Sequence, residues 1–284
     1  MIETPASVGG VIDAGALELN EAGVAAPRRE ALRIWSGIER VSVADVVMRH
    51  HEPAGAVQAG QFSDAIRRRA AGEPLAYVTG WTGFRRLMLR CDRRALIPRP
   101  ETEGLVDAAL ARVRGGVVAD IGTGTGAIAL ALGDEGSFEC VFGVDLSPAA
   151  LALAAENAAA TGLAPSLRQG DLVAPLAGQR VNLLVSNPPY LTLSEYDSLD
   201  RSVRDYEPAL ALVAGEDGLL LTRRLLADAR DVVAPAGWIA VEVDCGRAVE
   251  SGRIAAALGW QEVTVLDDLF GRARYLLARR GSGA

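Results

Sequence analysis

Val117-Val118-Ala119-Asp120-Ile121-Gly122-Thr123-Gly124-Thr125-Gly126-Ala127-Ile128-Ala129-Leu130 decides the fold. A short apolar run of the kind that forms buried strands enters a glycine-rich turn and leaves with helical spacing. Glycine turns tightly and lets a ligand approach the main chain, so Gly122, Gly124 and Gly126 mark a strand–turn–helix junction built around something bound. Downstream, Val141-Phe142-Gly143-Val144-Asp145 reads as a second strand with a carboxylate at its tip, where an acid can accept both hydroxyls of a ribose. This unit indicates a nucleoside cofactor without saying which. Gly122-x-Gly124-x-x-Ala127 also satisfies the dinucleotide fingerprint, with Asp145 at about the right distance. Asp120 separates the two readings. A pyrophosphate is repelled by a carboxylate just inside the turn. A sulfonium cofactor with an amino-acid tail tolerates it, or uses it through a water or through its ammonium group.

A second stretch favours the sulfonium cofactor, S-adenosylmethionine. Val181-Asn182-Leu183-Leu184-Val185-Ser186 reads as a buried strand and runs into Asn187-Pro188-Pro189-Tyr190. Two prolines fix φ, remove two N–H donors and push the preceding residues out of the helical region. The chain must leave the sheet stiff and extended, with the Asn187 amide and nearby carbonyls free to bind. Two acceptors side by side suit a substrate –NH2 group, and Tyr190 can cover a flat group. The competing reading is a plain strand-ending turn, since Asn-Pro often opens one; the glycine motif upstream weighs against it.

Composition excludes several classes. The 284 residues suffice for two domains, and half are hydrophobic. No apolar run approaches a membrane span, and Met1-Ile2-Glu3-Thr4 lacks the features of a signal peptide. Cys91, Cys140 and Cys245 are scattered, which suggests reduced thiols in a cytoplasm and no metal spacing. The only histidines, His50 and His51, are adjacent; neighbours on a helix do not share a face, so they read as an exposed pair near a helix end. All 29 basic residues are arginine, which rules out a catalytic lysine. The net charge of −7 argues against direct nucleic-acid binding. Arg85, Arg86, Arg90, Arg93, Arg94 and Arg99 form one local exception, opposed only by Asp92. They read as a solvated strand face or as a docking strip for an acidic or RNA-associated partner.

Periodicity divides the chain. Residues 1–26 are poor in pattern, and about the first ten are expected to be mobile. Residues 27–76 read as a helical domain: Ala31, Leu32, Ile34, Trp35 and Ile38 recur at helical spacing, Ser42-Val43-Ala44-Asp45 offers a cap, and Phe62–Ala71 gives a third helix. An alternating pattern over 77–96 predicts a linking β-hairpin. In residues 97–284, helices over 101–113, 125–133, 148–161, 217–233 and 247–258 alternate with strands over 117–121, 140–144, 166–169, 181–186, 237–243, 261–266 and 273–279. Such alternation argues a parallel α/β sheet covered on both faces. The last two strands lack an intervening helix and are expected to form an antiparallel edge pair. Ligands in such sheets sit at the carboxyl ends of the strands, where Asp120 to Gly126, Asp145, Asp171 and Asn187 all fall.

The chain resembles the release factor glutamine methyltransferases (the PrmC/HemK family) over roughly residues 27–280. The resemblance rests on Gly72-Glu73-Pro74-Leu75-Ala76-Tyr77-Val78-Thr79-Gly80, Leu96-Ile97-Pro98-Arg99-Pro100-Glu101-Thr102-Glu103, the Gly-Thr-Gly-Thr-Gly loop, Asn187-Pro188-Pro189-Tyr190, and Val203-Arg204-Asp205-Tyr206-Glu207-Pro208-Ala209-Leu210-Ala211-Leu212 followed by Gly215-Glu216-Asp217-Gly218-Leu219. Asn-Pro-Pro-Tyr is shared with adenine-N6 DNA methyltransferases; the Pro-Arg-Pro-Glu-Thr-Glu block separates the two. The resemblance implies a class I S-adenosylmethionine-dependent methyltransferase, Rossmann-like with a mostly parallel seven-stranded sheet, a small N-terminal helical substrate-recognition domain and a β-hairpin. It implies methyl transfer to the side-chain amide nitrogen (N5) of the glutamine in the Gly-Gly-Gln motif of class 1 peptide chain release factors, leaving S-adenosylhomocysteine. It implies that Asp120, Gly122, Thr123, Gly124, Thr125 and Gly126 line the cofactor, that Asp145 holds the ribose, and that Asp171 and Leu172 lie beside the adenine, with Asn187 also near the cofactor. The family often carries an aromatic near Leu172, so stacking there is weaker or supplied elsewhere. Asn187 and the Pro188 carbonyl hold the substrate amide, with Pro189 and Tyr190 against it, and Pro98, Arg99, Pro100 and Glu101 form a lip over the pocket. A cytoplasmic monomer without metal is expected. The alternatives are a glutamine methyltransferase for a ribosomal protein and an exocyclic-amine nucleic-acid methyltransferase.

Overall fold

The computed structural model describes residues 6–282; the mobility expected at the extreme N-terminus falls partly on residues 1–5, outside that range. The described chain forms two compact units. One comprises residues up to Trp81 together with Asp200–Tyr206, and the other Thr82–Leu199 together with the chain from Glu207 on.

The first unit holds α1 (Val8–Glu21), α2 (Pro27–Glu39), α3 (Val43–Met48), α4 (Ala56–Ala70) and α5 (Leu75–Thr79). Helix α1 corrects the reading of residues 1–26 as patternless. Its Ile12 and Leu19 are buried in one core with Ile34, Trp35, Phe62 and Ile66. Gly15 brings α1 against α4: a Cβ there would lie 2.6 Å from the Phe62 ring, which itself packs edge-on to Trp35 with centroids 5.4 Å apart. Three glycines lower the helix propensity of this stretch, and burial overrides them. The cap read at Ser42 is present as a reciprocal capping box with Asp45. His50 and His51 are exposed just past the end of α3.

In the second unit the predicted hairpin comprises β1 (Trp81–Phe84, entering from the first unit) and β2 (Leu87–Arg90). It is no free linker, because Phe84 and Leu89 are buried in the core that holds the next helix, α6 (Pro100–Leu110). There follow β3 (Gly115–Ile121), α7 (Ala127–Glu135), β4 (Ser137–Asp145), α8 (Pro148–Thr161), β5 (Ser166–Gln169), β6 (Val181–Ser186) and α9 (Leu193–Asp197). The short α10 (Arg201–Arg204) belongs to the first unit, and α11 (Leu220–Val232), β7 (Val233–Glu242), α12 (Ala248–Ala257), β8 (Gln261–Asp267) and β9 (Ala273–Arg279) complete the second. Neither α9 nor α10 was expected.

The seven strands run in the order β5-β4-β3-β6-β7-β9-β8. The first five are parallel, and β9 is antiparallel to both β7 and β8. The expected antiparallel pair therefore forms with β8 at the edge and β9 inserted beside β7. Helices cover both faces: Ala119 and Leu184 meet α11 and α12 residues in one core, while Val118 and Leu183 meet α6 and α7 in the other. This two-sided burial is why the central strands read as unbroken apolar runs.

Candidate functional site

The order of the sheet reverses between β3 and β6, where Ile121 pairs with Ser186. Their next residues, Gly122 and Asn187, thus leave the sheet side by side, at the switch point where such sheets bind ligands. The Ser186 hydroxyl donates to the Ile121 carbonyl at 2.7 Å and locks the two strand ends together. The turn folds back on β4, with the Gly122 and Thr123 N–H groups donating to the Val144 carbonyl at 2.8 and 2.9 Å. Gly122 and Gly124 have φ of 74° and 55°, a region that other residues enter only with strain.

A cavity of about 440 Å³ opens over these strand ends, within the usual range for small-molecule sites. Gly122, Gly124, Asp145, Asp171, Leu172 and Asn187 line it, as does Pro189. The Asp145 carboxylate accepts from the Gly124 N–H at 2.8 Å and the Ser147 N–H at 2.9 Å. Partial burial raises its pKa above the usual range, against the pull of these backbone bonds. Asp171 is exposed and pairs with Arg224 at 2.6 Å. Leu172 lies on the wall with φ of 47°, a conformation that bulky residues keep only where the surroundings impose it.

Asp120 does not line the cavity. It is fully buried beneath the turn, accepting from the Thr123 hydroxyl at 2.6 Å and the Ala129 N–H at 3.1 Å. Burial pushes its pKa up to about 7. The carboxylate ties the turn to α7, and the Thr123 hydroxyl is turned inward with it. Thr125 is likewise buried, its carbonyl accepting from Asn157 at 2.9 Å, and Gly126 is the residue from which α7 starts. These four residues build the loop, and the cavity surface is left to Gly122 and Gly124.

The expected lip is displaced by a few residues: the cavity is lined by Arg94, Ala95 and Leu96. The Arg99 guanidinium turns instead to Glu207 at 2.5 Å, and the same carboxylate receives the Ile97 N–H at 3.0 Å. Glu101 stands half-buried in the first turn of α6. Pro188 is buried and Tyr190 half-buried; burial, then the nearby Glu242, pushes the Tyr190 hydroxyl up to about 12, so it stays neutral.

Four residues that matter here were not singled out from the sequence: Thr102, Asn157, Glu207 and Glu242. Asn157 bridges β2 and the glycine turn, receiving the Arg90 N–H at 2.7 Å while donating to the Arg90 and Thr125 carbonyls. Glu242 offered a signal, a carboxylate set within the apolar run Ile239-Ala240-Val241-Glu242-Val243. The arginine strip is engaged within the second unit. Arg85 binds Glu135 and Asp107, Arg86 binds Asp134, and Arg94 binds Asp92 and Glu156.

A cavity of this size beside a main-chain turn, with a fixed carboxylate at the tip of β4, fits the nucleoside end of S-adenosylmethionine. Sheet order, glycine turn and Asn-Pro-Pro-Tyr after β6 together define a class I S-adenosylmethionine-dependent methyltransferase. Residues 11–80 match the PrmC N-terminal domain and residues 102–203 the methyltransferase small domain. The chain is 42% identical over 271 residues to the release factor glutamine methyltransferase of Deinococcus radiodurans, spanning 93% of this chain and 95% of that protein. It is 41% identical over 266 residues to the protein of the same name from Moorella thermoacetica, spanning 91% and 93%. The chain belongs to the release factor glutamine methyltransferase family. A solved methyltransferase from Pyrococcus furiosus shares the fold alone, with a TM-score of 0.53 at 18% identity over 69% of this chain and 89% of that one.

Proposed function

We infer that this protein methylates the side-chain amide nitrogen of the glutamine in the Gly-Gly-Gln motif of class 1 peptide chain release factors, with S-adenosylmethionine as donor. The observation that carries this reading is Asn187 on the cavity wall, directly beside the glycine turn. The cofactor, when bound, supplies an electrophilic methyl group.

The protein's own part is orientation. A carboxamide nitrogen is a poor nucleophile because its lone pair is delocalised. Its proton becomes acidic only as the methyl arrives, so no strong base is needed first. The Asn187 amide oxygen and the Pro188 carbonyl accept the two N–H bonds of the substrate amide and turn its lone pair toward the donor. Positioning of this kind removes up to about 7–11 kcal/mol from a barrier in ideal cases. The same acceptors stabilise positive charge developing on nitrogen. They also reject glutamate, whose carboxylate has no donor to offer. Gly122 and Gly124 take the cofactor against the main chain, and Asp145 receives its ribose hydroxyls. The helical unit recognises the protein substrate, because a single glutamine loop offers too little surface for specificity. The test is mass spectrometry of a release factor incubated with the protein and S-adenosylmethionine. The expected result is one added methyl on the Gly-Gly-Gln glutamine, and methyl groups found only elsewhere overturn the reading.

A further inference from the structure

We propose that Thr102 and Glu242 are positioning residues for methyl transfer, forming a buried relay that holds the Asn187 amide with its oxygen toward the cavity. The proposal rests on the reading that Asn187 receives the substrate amide. Asn187 Nδ2 donates to Thr102 Oγ1 at 3.0 Å, and Thr102 Oγ1 donates to Glu242 Oε2 at 2.7 Å. The three residues come from the end of β6, the first turn of α6 and the end of β7. Thr102 is 5% exposed and Glu242 1%.

Proton counting sets the direction. A threonine hydroxyl carries one proton. With Glu242 ionised, as it is above about pH 7, that proton goes to its carboxylate, so toward Asn187 the Thr102 oxygen can only accept. Only the –NH2 end of the carboxamide can meet it, which leaves Oδ1 for the cavity that Asn187 lines. A reversed amide would present donors to a substrate –NH2 and repel it. Donors aligned in one direction along such a chain also strengthen one another.

The surroundings hold this geometry in place. Ser186 pairs with Val241, so Asn187 and Glu242 follow each other's neighbours on adjacent strands. Glu242 in turn pairs with Tyr275 of β9, whose hydroxyl donates to the Glu101 carbonyl at 2.6 Å and pins the start of α6. Gly104 makes room for that ring: a Cβ there would lie 2.4 Å from the Tyr275 hydroxyl oxygen. A strand end that needed only filling would be more stable with an apolar side chain than with a buried carboxylate, so a structural role alone does not account for Glu242.

The test is turnover on intact release factor, with calorimetry for S-adenosylmethionine. Thr102→Val should lower kcat about 10–10²-fold, the effect expected of a misaligned reacting group, while cofactor Kd and the KM for release factor change by less than about threefold. Thr102→Ser keeps the hydroxyl and should recover most of that loss. In an Asn187→Ala background Thr102→Val should cost almost nothing more, because the group it orients is gone. A Thr102→Val kcat within about twofold of wild type overturns the relay, given the sensitivity of rate to alignment. So does a serine variant no better than valine, or an undiminished loss in the Asn187→Ala background. Full activity in Asn187→Ala itself overturns the reading of Asn187 and the relay with it. Activity lost in Asn187→Ala but kept in Thr102→Val overturns the relay alone.

Discussion

Asp145 and Glu242 are both carboxylates at the ends of parallel strands, yet their surroundings give them opposite tasks. Asp145 stands at the cavity with two backbone N–H groups holding it still. Asp145→Ala should lose charge-assisted bonds to the ribose worth about 1.5–3 kcal/mol, or roughly 10–150-fold in S-adenosylmethionine affinity. Calorimetry measures this directly, and unchanged affinity rejects the assignment. Glu242 is sealed away, and burial, the largest influence on it, pushes its carboxyl up to about 7 from the usual 4.5. The folded protein then keeps a proton that the unfolded chain releases. This group leaves stability untouched at pH values below about 4.5 and subtracts from it as pH rises to about 7, in total on the order of 3 kcal/mol. Glu242→Gln removes that loss. Its urea midpoint should therefore gain on wild type between about pH 5 and pH 8. A difference that stays flat across this window shows that Glu242 ionises as an ordinary carboxyl.

Helix α1 shows how packing decides the fate of a weak segment. Gly15 interrupts an otherwise apolar face, and helix propensity alone says that Gly15→Ala should stabilise by about 1 kcal/mol. Tertiary contact says the reverse. The added methyl would meet two atoms of the buried Phe62 ring at 2.6 and 2.8 Å, and Trp35 backs that ring edge-on. Overpacking of this kind costs about 1–3 kcal/mol, so chemical denaturation should show Gly15→Ala to be less stable than wild type. A stabilised variant would mean that α1 and α4 can move apart at little cost. The hairpin of β1 and β2 teaches the same lesson. Its alternating pattern is legible, but its attachment through Phe84, Leu89 and the Asn157 bridge is not.

One unit has no cofactor-binding motif, and the other carries all of them. Deleting residues 1–81 should leave S-adenosylmethionine affinity within about threefold of the full chain. The kcat/KM on intact release factor should fall sharply, because a stable protein interface buries about 1,200–2,000 Å² and the glutamine loop alone cannot supply it. The deletion also removes the Ala71 carbonyl that accepts from Tyr206 at 3.2 Å, so folding is checked first by cofactor calorimetry. A well-folded truncation that methylates whole release factor at the full-length rate rejects the recognition role.

What the amino-acid sequence determined by itself is local. Glycines with φ > 0, paired prolines and runs of period 2 or 3.6 act over a few residues, and they suffice for the seven strands of the sheet and the main helices between them, the turn after Ile121 and the stiff exit at Asn187. The switch point itself came from the sheet order, which places Gly122 and Asn187 at the ends of neighbouring strands. Only the tertiary structure decided which polar groups face the cavity. Asp120 reads as a cofactor contact and instead turns inward, where the Thr123 hydroxyl and the Ala129 N–H at the start of α7 both donate to one of its oxygens. Arg99 reads as a lip and instead closes on Glu207, 108 residues away. Thr102 and Glu242 are 140 residues apart, and neither announces its partner. Side-chain hydrogen bonds across such distances depend on rotamers and burial set by the whole packed sheet. No pattern along the chain records them.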